Sequence, residues 1–155
     1  MTNVSVPRIT PFLWFDNNAE EAVRFYTSVF ENSRVIRLGP MVSTFELDGQ
    51  RFMALNGGPH FKFTEAVSFY VNCDTQKEVD HYWEKLSAGG DEKAQQCGWL
   101  KDKYGLSWQI VPKVLGRMLQ HKDARKSERV MRALLQMKKL NIKRLKKAYG
   151  QRSKP

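Results

Sequence analysis

The chain has 155 residues, of which 41% are hydrophobic and 12% aromatic; this is enough for a packed core and excludes an intrinsically disordered body. No apolar run approaches the roughly 20 residues needed to cross a bilayer as a helix, which excludes a membrane span of that kind. The net charge of +10 is held unevenly: residues 1–112 carry 11 Lys and Arg against 14 Asp and Glu, whereas residues 113–155 carry 15 against 2.

In chain order, Met1-Thr2-Asn3-Val4-Ser5 lacks the basic-then-apolar layout of a secretory leader. Cys73 and Cys97 have no C-x-x-C spacing and no neighbouring histidine. Both features predict a cytoplasmic protein with reduced thiols. Ile9–Phe15, rich in β-branched and aromatic residues, predicts a strand. Asn17 and Asn18 can cap the helix that follows, in which Ala22, Val23, Phe25, Tyr26, Val29 and Phe30 recur at spacings of three and four. Asn32-Ser33 ends that helix. Ser43–Leu47 and Arg51–Leu55 flank Asp48-Gly49, a strong hairpin signal.

The pattern then repeats at a displacement of 56 residues: Phe15 falls on Val71, Val23 on Val79, Tyr26 on Tyr82, Gly49 on Gly105 and Phe52 on Trp108. Val67–Cys73 predicts a strand and Asp74 or Thr75 a cap; Val79, Tyr82, Trp83 and Leu86 form a helical stripe that ends at Gly89-Gly90. Gly98–Lys101 and Ser107–Val111 predict a hairpin turning near Tyr104-Gly105. Each module therefore reads β-α-β-β-β. The expected architecture is α+β, with paired modules over residues 1–112 (about 7–58 and 64–112) and a basic helical tail over 113–155.

In the tail, Val114, Leu115, Met118, Leu119, Val130, Leu134, Met137, Leu140, Leu145 and Tyr149 form an apolar stripe, with Asp123 or Ser127 available to cap the longer helix. Lys138, Lys139, Lys143, Arg144, Lys146 and Lys147 lie on the other face. That face reads either as solvated or as a contact for nucleic acid or another polyanion through Lys143, Arg144, Lys146 and Lys147. Such a contact would be of the phosphate-backbone type and salt-sensitive. A basic amphipathic helix can also rest on an anionic membrane surface.

Several strings carry a family resemblance: Ile9-Thr10-Pro11-Phe12-Leu13-Trp14-Phe15, Ala19-Glu20-Glu21-Ala22, Phe25-Tyr26, Phe45-Glu46-Leu47-Asp48-Gly49-Gln50, Ala54-Leu55-Asn56-Gly57-Gly58-Pro59, Gly98-Trp99-Leu100-Lys101-Asp102 and Trp108-Gln109-Ile110-Val111-Pro112. With its duplicated module, the chain resembles the vicinal oxygen chelate superfamily of glyoxalases, bleomycin-resistance proteins and dioxygenases. Within it, the chain resembles the PhnB-like branch, labelled 3-demethylubiquinone-9 3-methyltransferase-like, over about residues 7–145. The resemblance implies a glyoxalase fold and a homodimer. It also implies four metal-ligand positions, which fall here on Thr10, Met53, Ala66 and Gln109.

Only Gln109 of those four offers an oxygen suited to a divalent ion, and a catalytic metal site normally takes about three His or carboxylate ligands. A shift of register brings in Arg51, Asn56, Glu65 and Ser68, with one carboxylate and no histidine. His60, His81 and His121 fall elsewhere. The sequence thus predicts no metal and no cofactor. It also shows no Gly-rich strand-to-helix turn for S-adenosylmethionine, no Gly-x-Ser-x-Gly elbow, and no residue that can be assigned as catalytic.

Alternation along the strands sends Ile9, Leu13, Phe15, Val67, Phe69 and Val71 toward the helices. It leaves a ligand surface of Thr10, Phe12, Trp14, Met53, Ser68, Tyr70, Trp99 and Gln109. Such a surface suits a small apolar or aromatic ligand, although plain sheet packing explains the same residues. The expected function is metal-independent small-molecule binding or sequestration. The alternatives are a glyoxalase- or dioxygenase-type enzyme, a methyltransferase on the family label alone, and an interaction protein acting through its basic tail.

Overall fold

A computed structural model describes residues 6–151, so the leader reading of Met1–Ser5 lies outside the described residues. Its contacts divide the chain into a unit ending at Phe63 and a unit beginning at Thr64.

The first unit runs β1 (Phe12–Phe15), α1 (Ala19–Val29), β2 (Arg34–Arg37), β3 (Val42–Leu47) and β4 (Gln50–Asn56). The sheet order is β1-β4-β3-β2, with β1 parallel to β4 and the other pairs antiparallel. Alternation decides which face is covered. Leu13, Phe15, Phe45, Leu47, Phe52 and Ala54 are buried together with Ala22, Val23 and Tyr26 of α1. Tyr26 stacks near Phe45, and Phe45 lies against Phe52 with ring centres 5.4 Å apart. The β3–β4 turn takes positive φ at both Asp48 (47°) and Gly49 (79°), the conformation that lets a two-residue loop follow the twist of its strands.

Two local expectations change. Ile9 is 81% exposed instead of inward-facing, because Pro11 has no N–H to give the ladder and pairing begins only at Phe12. Asn18 precedes α1 but makes no side-chain cap. Asn56, at the end of β4, supplies the acceptor: its Oδ1 accepts from Ala19 N at 2.9 Å while its Nδ2 donates to Pro40 O at 3.1 Å.

The second unit runs β5 (Ser68–Cys73), α2 (Gln76–Ser87), β6 (Trp99–Lys101), β7 (Ser107–Pro112), α3 (Lys113–Leu119), α4 (Ala124–Leu135) and α5 (Ile142–Gly150). Its sheet order is β5-β7-β6. Thr75 caps α2 as the sequence predicts, its side chain accepting from Glu78 N at 3.2 Å. The counterpart of β2 is absent among the described residues; Glu92–Ala94 forms a single 3-10 turn instead, capped by Asp91 onto Lys93 N, and only Gln96 bridges to Trp99. The segment Asp91-Glu-Lys-Ala-Gln-Gln has no β-branched or aromatic residue to favour a strand. Val67 lies ahead of β5 and is 64% exposed, against the expectation that it packs inward.

The turn between β6 and β7 is held by a buried carboxylate. Asp102 is 2% exposed; its Oδ1 accepts from Tyr104 N at 2.8 Å and Leu106 N at 3.1 Å, and its Oδ2 accepts from the Trp108 indole N–H at 2.9 Å. Every lone pair used this way offsets the desolvation that burial of a carboxyl entails.

The three C-terminal helices pack into this unit. Leu115, Met118, Val130, Leu134, Met137, Leu140 and Leu145 form one buried cluster with Val111 of β7. What the sequence presents as one longer helix is broken between α4 and α5. Met137 O and Lys138 O accept from Cys97 N and Gly98 N, both at 2.8 Å, and Asn141 starts a new helix by accepting from Arg144 N. Asp123, not Ser127, caps α4. Gln76 ties the last helix to α2, donating to Leu140 O at 3.0 Å and accepting from Ile142 N at 2.8 Å.

Candidate functional site

On the face of the first sheet away from α1, Phe12 pairs with Met53 and Trp14 with Leu55 across the β1–β4 register. Thr10 stands at the entry to β1, where Pro11 O accepts from Met53 N at 2.9 Å. Phe12 is 52% exposed, while Thr10, Trp14 and Met53 are half-buried. Phe12, Trp14 and Met53 therefore share one side of one sheet, while Thr10 lies ahead of the strand. Trp14 is fixed by the loop after β4. Its Nε1 donates to Gly58 O at 2.8 Å, and its ring meets Phe61 edge-on at 4.9 Å. A Cβ placed on Gly57 would come within 2.3 Å of the indole, so the backbone there lies flat against the ring. Gly57 was legible as part of a family string; its role under Trp14 was not.

In the second unit, Gln109 is the Cα partner of both Tyr70 and Trp99, and its Nε2 donates to Ser68 Oγ at 3.0 Å. Tyr70 is 52% exposed, and partial burial pushes its phenol upward from the ordinary tyrosine value. Lys101 pairs with Glu65, and that contact holds the Glu65 carboxyl below the usual carboxylate range. The second four expected residues thus also gather on one sheet.

The register changes one equivalence. Phe12 pairs with Met53 and Tyr70 pairs with Gln109, so the first strands correspond at a displacement of 58 residues while the last strands keep 56. The position matching Thr10 is therefore Ser68, not Ala66, and the quartet becomes Thr10, Met53, Ser68 and Gln109. Ser68 and Gln109 are already bonded to each other. A hydroxyl pair, a thioether and an amide do not fit a divalent catalytic ion, which calls for imidazole or carboxylate donors. Among the described residues, no group of three or more His, Cys, Asp or Glu is placed to hold a metal. His60 lies in the loop after β4, His81 on α2 beside Tyr82, and His121 against Tyr149. Cys73 is buried and its thiol is pushed up to about 12, chiefly by desolvation, so it is no nucleophile at neutral pH.

The four basic residues singled out on the tail, Lys143, Arg144, Lys146 and Lys147, are all exposed on α5. The structure divides them between two grooves. Arg144 and Lys147 line one with Arg129, Arg132 and Ala133 of α4; Lys143 and Lys146 line the other with Asp74, Thr75 and Gln76. Arg129 and Arg132 were not singled out in the sequence because they fall on a different helix.

A βαβββ unit with a parallel pair of outer and central strands, followed by a second unit of the same order less one strand, is the glyoxalase/bleomycin-resistance/dioxygenase fold of the vicinal oxygen chelate superfamily. The family model described as 3-demethylubiquinone-9 3-methyltransferase matches residues 7–111, and the chain belongs to that family, its PhnB-like branch. The match ends short of the expected residue 145, leaving α3, α4 and α5 outside it. A PhnB protein from Bacillus cereus is 38% identical, over 68% of this chain and 99% of that one, with a TM-score of 0.60. A Pseudomonas aeruginosa protein at 18% identity covers 69% and 98% with a TM-score of 0.54. FosX from Listeria monocytogenes, a fosfomycin resistance protein complexed with Mn(II) and sulfate, covers 74% and 97% at 15% identity and a TM-score of 0.53. The last two likenesses are of fold. No curated protein matches the chain.

Proposed function

We propose that the chain is a metal-independent, cytoplasmic, homodimeric binding or sequestering protein for a small apolar or aromatic ligand. The carrying observation is that each sheet presents aromatic surface its own core does not consume: Phe12 and Trp14 beside Met53 on one, Tyr70 and Trp99 beside Gln109 on the other. Flat apolar walls with a few hydroxyl and amide groups hold a ligand by burial and orient it by one or two hydrogen bonds. Exposed Phe12, Val35, Ile36 and Met41 support association with a second copy, which would cover apolar surface that a monomer leaves wet.

The test is a panel of flat aromatic and apolar compounds read by thermal shift and titration calorimetry. At least one should stabilise the protein, and Trp14→Ala should weaken its binding by about 1–3 kcal/mol, the worth of one large apolar contact. A panel that binds nowhere, or binds the variant equally well, rejects the reading. The family's description favours a second reading, methyl transfer. Saturable binding of S-adenosylmethionine would establish it over sequestration.

A further inference from the structure

We propose that the groove between α4 and α5 binds the phosphate backbone of double-helical nucleic acid. The groove encloses about 500 Å³ and is lined by Arg129, Arg132, Ala133, Arg144, Lys147, Ala148 and Gln151. Four of those seven side chains are cationic and none is acidic. Arg129 is held in place from below, its Nε donating to Ala148 O at 3.0 Å and its Nη2 to Tyr149 O at 3.3 Å, so one guanidinium is positioned before any ligand arrives. Arg132 approaches Glu128 on its own helix only at 4.0 Å, both side chains being largely exposed. Arg144 and Lys147 make no ion pair with a described carboxylate. Planar guanidinium forks match phosphate oxygens in pairs, and a row of them on two helix walls suits a repeating anion better than a single one.

The other groove beside α5 explains why this one is preferred. There Lys143 and Lys146 face Asp74, whose carboxylate already engages Lys113 at 2.8 Å. An anion entering that side meets two lysines and one carboxylate; one entering between α4 and α5 meets four cations and no carboxylate. Single strands are disfavoured because no aromatic ring lines the groove to stack on bases. A membrane is disfavoured because Leu145 and Ala148 of α5 are buried in the unit's own core. The exposed Met131 and Leu135 of α4 are not among the groove's lining residues. The site lies on this chain's C-terminal helices, outside the region matched by the family model.

The experiment compares two double variants of the full chain that remove equal charge from one helix: Arg144→Gln with Lys147→Gln, and Lys143→Gln with Lys146→Gln. Fluorescence anisotropy follows a mixed-sequence duplex of about 20 base pairs from low to physiological salt, with anionic vesicles and single-stranded DNA as parallel arms. The first pair should lose about tenfold in affinity at low salt and flatten the slope of log K against log salt by about two, roughly one per lost phosphate contact. Arg132→Gln should move both in the same direction, and the second pair should lose less than about threefold. Equal losses from the two pairs, no duplex binding by the wild type at low salt, or tighter binding to vesicles or single strands would overturn the proposal.

Discussion

Gly57 and Trp14 show how one small residue sets the geometry of a candidate ligand surface. The indole rests where any Cβ on residue 57 would intrude, and its N–H is engaged by the next carbonyl, Gly58 O. Gly57→Ala should therefore push the ring off the loop and cost about 1–3 kcal/mol, as overpacking does, with a change in tryptophan fluorescence that Gly116→Ala, in open space, does not produce. Unaltered fluorescence and stability in Gly57→Ala would mean the loop yields freely and does not fix the indole. At this scale the parity of the strands was readable: it put Phe12, Trp14 and Met53 on one face of the first sheet and Tyr70 with Gln109 on one face of the second. The bond between Gln109 and Ser68, and the loan of Asn56 as a cap for α1, were not, since each joins residues whose sequence separation carries no periodic signal.

Among the elements, the C-terminal helices have the most to distinguish, because they carry an apolar and a basic face. Leu145 is fully buried and Leu134 is 8% exposed, both in the cluster built on Val111. Leu145→Asp and Leu134→Asp should each cost about 3 kcal/mol or more, combining a lost apolar contact with an unpaired buried charge. Chemical denaturation would read this as a lower midpoint. Lys143→Gln and Lys146→Gln should stay within about 1 kcal/mol of the wild type, since exposed charges contribute little. If both classes of change cost the same, the helices are not packed as described. The periodicity of the stripe was plain in the sequence. The break at Gln136–Asn141 was not, because Met137, Leu140 and Leu145 continue a helical spacing that the carbonyls of Met137 and Lys138 abandon for Cys97 and Gly98.

For the whole molecule, the absence of imidazole and carboxylate from Thr10, Met53, Ser68 and Gln109 predicts how the protein behaves toward metals. Protein purified without chelator should carry well under one transition metal per chain, and chelator treatment should leave its melting temperature unchanged. Stoichiometric zinc, manganese or iron that is lost on replacing Gln109 or Glu65 would reverse that expectation. The measurement matters because likeness of fold reaches as far as a protein complexed with Mn(II), whereas the donor set does not follow the fold.

Hydrophobic period, cap residues and the Asp48-Gly49 turn are local signals, and they sufficed for the class of fold and for which side chains share a strand face, but not for every element: the second unit lacks the strand expected between α2 and β6, and the tail helix is broken into α4 and α5. What depended on tertiary structure was register and company. The first strands correspond at 58 residues although the last correspond at 56, a difference of two that preserves which face a side chain occupies while changing its neighbour. That shift exchanges Ala66 for Ser68 beside Gln109. In the same way, Arg129 and Arg132 meet Arg144 and Lys147 only because the chain turns at Asn141 and lays α5 along α4. Side-chain chemistry and its period are written residue by residue, but which distant residues share a groove is settled by packing, where apolar burial on one face decides what the opposite face is left to hold.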